Sequence, residues 1–136
     1  MEPSVSLKIL VADDEASQRE IMKAFLVHLG HSVLLAADGE EAVQMAQESR
    51  PDAVFLDMVM PRMNGLDACR TLKINSETKD VKVVMLTAIV QQSVVKLAKQ
   101  NGADAYLAKP IGLQDLGGIL NILFKSVVKT PAGQRS

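Results

Sequence analysis

The chain has 136 residues, 48% of them hydrophobic and 23% charged, with a formal net charge of −1. That length and apolar content suit one domain with a packed core rather than a disordered chain, and the near-neutral balance without a basic run argues against nucleic acid or an anionic membrane as a direct partner. The lone cysteine, Cys69, has no partner for an internal disulfide, no apolar run reaches the roughly 20 residues of a membrane helix, and Met1-Glu2-Pro3-Ser4 does not read as a secretory signal, so a soluble cytoplasmic domain is expected.

Taken in order, Leu7 to Ala12 reads as a buried strand ending in two acids, Asp13 and Asp14. Ser17 to Leu29 follows with Ile21, Ala24, Phe25 and Leu29 on one helical face, and Gly30 closes it. Ser32 to Ala36 is a second strand. Asp38 then caps a helix running to about Ser49 through Ala42, Val43, Met45 and Ala46, and Pro51 stops it. Ala53 to Leu56 is a short run, apolar on both faces, that delivers Asp57 at its end; Pro61 and Asn64-Gly65 behind it are turn residues. A third helix is expected from about Leu66 to Ile74, and Asn75 to Asp80 reads as a polar loop.

Val81 to Leu86 is the fourth strand, ending in Thr87-Ala88. Gln91 to Gln100 is helical with Val94, Leu97 and Ala98 as its inward stripe, and Asn101-Gly102 stops it. Ala105 to Ala108 is a fifth strand broken by Lys109-Pro110, and a last helix runs from about Leu113 to Val128. Residues 1–6 read as an N-terminal extension, 7–128 as the domain, and 129–136 as a flexible tail or linker stub. Five strands alternating with five helices argue an α/β fold, a parallel sheet with helices on both faces. In such a sheet Asp13, Asp14, Asp57, Thr87 and Lys109, each at a strand end, share one edge, which is where open α/β sheets place their ligands.

Three carboxylates at one edge repel one another unless something neutralises them. Mg²⁺ takes oxygen ligands of this kind, with waters and substrate phosphate completing its shell, and no Cys/His cluster suggests zinc. A metal-bound acidic hollow with a lysine ammonium and a threonine hydroxyl suits phosphoryl transfer, with Asp57 able to act as nucleophile.

These residues, Asp13-Asp14, Asp57 with Met60-Pro61-Arg62-Met63-Asn64-Gly65 behind it, Thr87-Ala88 and Lys109-Pro110, together resemble the receiver domain of two-component response regulators, over roughly Lys8 to Phe124. The resemblance implies a single-domain flavodoxin-like (βα)5 three-layer sandwich with strand order 2-1-3-4-5. It implies that Asp57 is the phosphoacceptor, fed by a sensor histidine kinase, a histidine phosphotransfer protein or a small phosphodonor. It makes Asp14 and Asp57 direct ligands of Mg²⁺ (or Mn²⁺), Asp13 a ligand through water, and the Val59 backbone carbonyl a further ligand. Lys109, the Thr87 hydroxyl and the Ala88 amide would hold phosphoryl oxygens, Pro110 would follow a cis bond, and Tyr106 would turn inward with Thr87 as a switch. That motion would remodel the surface of the fourth helix, fifth strand and fifth helix toward an unidentified target.

Plainer roles exist for each residue alone. Asp14 could cap the first helix, Thr87 and Lys109 could be ordinary strand and surface residues, and Tyr106 could simply fill core. His28 and His31 read as helix-end and loop residues, and Met58, Met60 and Met63 as fillers of irregular space. Val59 and Ile89, two residues beyond Asp57 and Thr87, are apolar and cannot orient a hydrolytic water, so slow self-dephosphorylation is expected rather than enzymatic turnover. Gly117-Gly118, with Ile119 and Ile122 off the Leu113-Leu116-Leu120-Leu123 stripe, suggests a pliable last helix with apolar surface for a partner or a phosphorylation-dependent homodimer. A stand-alone receiver, a phosphorelay intermediate and a fragment of a larger regulator or hybrid kinase all remain open. An aspartyl-phosphate hydrolase lacks its second acid, because Val59 stands there, and a flavin module lacks a phosphate loop after the first strand.

Overall fold

A computed structural model describes residues 6–88 and 91–124. The apolar runs form five parallel strands, β1 (Lys8–Ala12), β2 (Ser32–Ala36), β3 (Ala53–Asp57), β4 (Lys82–Thr87) and β5 (Ala105–Ala108), in the order β2-β1-β3-β4-β5. Five helices alternate with them: α1 (Ala16–His28), α2 (Gly39–Ser49), α3 (Gly65–Ile74), α4 (Gln92–Gln100) and α5 (Leu113–Leu123). Strand β3 is buried at every position because helices cover both of its faces. On one face Ile9, Val11, Phe55 and Leu86 pack against Met22 and Leu26 of α1 and Leu116 and Leu120 of α5. On the other, Leu10, Val54, Leu56 and Met85 meet Ala42, Val43 and Ala46 of α2, Ala68, Cys69 and Leu72 of α3, and Ala98 of α4. Burying side chains of this size contributes about 1.5–3 kcal/mol each, so the two layers hold the sheet, and with it the positions of the strand ends.

Three amphipathic readings are corrected. On α1 the buried residues are Met22 and Leu26, whereas Ile21 is 45% exposed and Ala24 faces water; only Phe25 and Leu29 of the expected stripe pack inward. The helix carries more apolar residues than one face can bury, and two stripes one position apart both satisfy helical spacing. On α4 Ala98 is buried but Leu97 is 46% exposed. On α5 Ile119 turns in against the core, leaving Ile122 exposed, and the helix runs unbroken through Gly117-Gly118. Boundaries shift by a residue elsewhere: α1 begins at Ala16, α3 at Gly65 with Asn64 capping it, and β4 at Lys82. The N-terminal stretch 1–5, Ile89, the continuation to Val128 and the tail 129–136 lie outside the described residues.

His31 is also more than a loop residue. It is buried, and its Nδ1 accepts the Leu7 N–H at 3.1 Å. The methionine expectation holds, with Met60 buried and Met58 and Met63 packed against the core beside α2 and α3.

Candidate functional site

The carboxyl ends of β1, β3 and β5 bring the expected acids and lysine into one cluster. Asp13 follows β1 directly and is 1% exposed. Its N–H donates to the Ala36 carbonyl, its Oδ1 accepts the Glu15 N–H at 2.9 Å, and its own carbonyl accepts from Arg19 Nη1 at 2.8 Å. Asp14 is exposed. It does not cap α1, whose N-cap residue is Glu15. Asp57 ends β3, 8% exposed, and its Oδ1 lies 3.4 Å from the Val59 N–H.

Lys109 follows β5, held by its N–H to the Thr87 carbonyl at 2.8 Å, and the Lys109–Pro110 bond is cis. Its Nζ donates to Asp13 Oδ2 and to Asp57 Oδ2, both at 3.1 Å. One ammonium thus spans two buried carboxylates from different strands. Burial pushes the Asp57 carboxyl above the usual carboxylate range, Lys109 pulling it back only in part. For Lys109, burial lowers proton affinity, but its bonds to Asp13 and Asp57 outweigh that, and it is held protonated.

Asp13, Asp14 and Asp57 each offer an oxygen within 4.8 Å of the others. Oxygens around an octahedral Mg²⁺ stand about 3–4 Å apart, so a small closure of this all-oxygen donor set would fit the ion. Thr87, buried, ends β4 at the same edge, with the exposed Ala88 next. Val59 is 71% exposed on the loop just beyond Asp57. Tyr106 lies apart from the acids, inside β5 opposite Met85, half-buried against the α2–α3–α4 layer.

Gly65 contributes what sequence reading took for turn punctuation. A Cβ there would overlap the Asp57 carbonyl and stand 2.9 Å from Met58 Cα. Only glycine lets the loop after β3 fold back this closely, closing through the Gly65 N–H to the Met58 carbonyl at 3.0 Å. The Asn64-Gly65 pair was the available signal. Nothing in the sequence announced Arg19.

The response regulator receiver domain family model matches residues 9–121. Among curated proteins the chain is 43% identical over 112 residues to response regulator MprA of Mycobacterium bovis, and 42% to that of Mycobacterium ulcerans, covering 82% of this chain. It spans about half the length of these relatives, 48% and 47%. Among solved structures it resembles a putative response regulator from Chloroflexus aurantiacus (TM-score 0.83, 31% identity, 88% of this chain and 98% of that one). It also resembles the receiver domain of a sensor histidine kinase from Pseudomonas aeruginosa, solved with a magnesium ion coordinated in its active-site cleft (TM-score 0.80, 32% identity, 86% and 96% covered). With the sheet order, the acidic edge and these matches in agreement, the chain belongs to the receiver domains of two-component response regulators.

Proposed function

We propose that this receiver domain accepts a phosphoryl group on Asp57 and uses it to switch a binding surface. The observation that carries the reading is Lys109 Nζ at 3.1 Å from both Asp13 and Asp57, beside three carboxylates close enough to share a cation. A lone pair of the Asp57 carboxylate attacks phosphorus. The phosphorus–nitrogen bond of a partner's phosphohistidine breaks, or the phosphorus–oxygen bond of an acyl phosphate, and the bonding electrons leave with the imidazole or the carboxylate. Asp14 and Asp57 would hold Mg²⁺ directly, with Asp13 through water and the Val59 carbonyl completing the protein's share, and the ion would supply neutralisation of the phosphoryl oxygens. Lys109 forms the ion pair with the transferred group, and the Thr87 hydroxyl and Ala88 amide take its other oxygens.

Burial that raises the Asp57 pKa also leaves its carboxylate poorly hydrated, which favours attack by the ionised form. Tyr106, half-buried beside the core, turns further in as Thr87 moves, coupling phosphate to the α4–β5–α5 surface. Val59, exposed and apolar, leaves no side chain to orient a water, so the phosphoryl group persists. A sensor histidine kinase or histidine phosphotransfer protein is the donor. Residues 7–128 constitute the receiver, whether alone or within a longer regulator. The test is Mg²⁺-dependent labelling by acetyl phosphate. Labelling of the wild type that vanishes in Asp57→Asn is expected, and labelling that survives the substitution overturns the assignment.

A further inference from the structure

The loop between β3 and α3, residues 58–64, lies against Asp57 at its base and against another element at its tip. At the base the Val59 N–H faces Asp57 Oδ1, and the Gly65 N–H closes the loop onto the Met58 carbonyl. At the tip Arg62 adopts a left-handed backbone, φ 65°, which a residue with a Cβ takes up only when its surroundings hold it there. Its guanidinium donates twice to Asp38 Oδ2, from Nε at 2.9 Å and Nη2 at 2.6 Å. Asp38 divides its oxygens: Oδ1 accepts the Glu41 N–H and caps α2, and Oδ2 accepts from Arg62. Next to it a Cβ on Gly39 would overlap the Met63 carbonyl, so the loop is seated directly on the start of α2. The Asp38 side chain is 5% exposed, and the Glu41 N–H and the Arg62 guanidinium hold its carboxyl below the usual range.

We infer that Arg62 and Asp38 form a positioning pair that fixes the Val59 segment over Asp57 and thereby sets the affinity of the acidic site for Mg²⁺. The inference rests on the proposed phosphoacceptor reading, in which the Val59 carbonyl is a ligand. The ammonium of Lys109 already restrains Asp13 and Asp57 from one side. The Val59 backbone has no comparable restraint from its own side chain, which is exposed. Its place is set from both sides. The Met58 N–H donates to the Leu86 carbonyl at 2.9 Å and Met60 is buried in the core. The Gly65 closure holds the base of the loop, and the Arg62–Asp38 clamp holds its tip to a helix that packs on the same sheet. Groups that orient a metal ligand from behind contribute about ten- to a hundredfold in affinity. A clamp acting three residues away belongs at the low end.

The test is Mg²⁺ titration of the unphosphorylated protein by calorimetry, alongside the Val59 amide resonance of the metal-free protein. Arg62→Asn removes the guanidinium while tolerating the left-handed backbone. Asp38→Asn retains an oxygen to cap α2 but loses the charge. Each is expected to raise the Mg²⁺ Kd about threefold to tenfold and to shift the Val59 resonance in the same direction. The double variant should do no more than either single one, and Arg62→Lys should fall between Arg62→Asn and the wild type. A lowered melting temperature with unchanged Mg²⁺ affinity, or additive effects of the two substitutions, overturns the inference. Mg²⁺ binding that depends on Asp57 but not on Arg62 or Asp38 overturns it alone. Binding untouched by Asp57→Asn overturns the functional reading with it.

Discussion

The two edges of the sheet use the same residue types to opposite ends. At the amino edge Asp52, Asp104 and His31 each meet a complementary group. Asp52, just before β3, accepts the Lys8 N–H on Oδ2 at 2.8 Å. Asp104, just before β5, accepts both the Val83 N–H and Lys73 Nζ at 2.8 Å, and His31, just before β2, accepts the Leu7 N–H. These side chains finish the ladder where strands begin, and for the buried Leu7 N–H and part-buried Val83 N–H they supply partners that burial would otherwise deny. At the carboxyl edge Asp13 and Asp57 are buried beside one shared ammonium, and the Asp57 carboxyl is pushed up by its burial. One edge is stabilised by its polar groups, and the other gathers carboxylates close enough to share a cation.

Asp57→Asn draws the contrast most sharply. Acetyl phosphate labelling should fall to background. In metal-free buffer at neutral pH the melting temperature should rise by about 2–5 °C, the shift a change near 1 kcal/mol produces at this size. The sign follows from the raised pKa: the fold favours the protonated carboxyl, so ionising it at neutral pH costs stability that the amide does not. A fall in melting temperature would remove the distinction between the edges. Gly65→Ala comes next. The new methyl would force the loop off the Asp57 carbonyl, lowering stability by about 1–3 kcal/mol and the labelling rate by about tenfold or more. Asp104→Ala tests the opposite edge. It strands the Val83 N–H and leaves Lys73 Nζ only the Val81 and Lys79 carbonyls, costing about 1–3 kcal/mol in denaturant melts, while phosphate labelling in native buffer stays at the wild-type rate.

The carboxyl edge was also the more legible of the two in sequence. Asp13, Asp14, Asp57, Thr87 and Lys109 each punctuate an apolar run, so a parallel sheet alone was enough to gather them. Strand order was not readable from periodicity and came from the family resemblance, which the sheet β2-β1-β3-β4-β5 bears out. The helix faces were read less well. Ile21, Met22, Phe25, Leu26 and Val27 give α1 two competing stripes, and choosing between them takes the sheet against which the helix packs. Leu97 misled because α4 is short and buries only Ala98 fully. The amino-edge partners were invisible for another reason. Asp52 with Lys8 and His31 with Leu7 are separated by 44 and 24 residues, and no local pattern encodes a hydrogen bond between strand starts.

The smallest expected effect lies in that unread pair. His31 is buried, and its pKa is lowered from 6.5, burial outweighing the opposing pull of Asp52. Its Nδ1 must stay unprotonated to accept the Leu7 N–H. Above the unfolded value both states are neutral and the contact contributes in full. As pH falls through 6.5 the unfolded chain takes up a proton that the fold refuses, so stability declines until the lowered folded pKa is reached. The ceiling for one proton is about 1.4 kcal/mol per pH unit. His31→Asn offers an amide oxygen to the Leu7 N–H without titrating, so between pH 7.5 and 5.5 its stability should fall less steeply than the wild type's. Parallel curves would show that this edge does not sense pH through His31, and that its hydrogen bonds are as indifferent to protonation as the backbone ladder they complete.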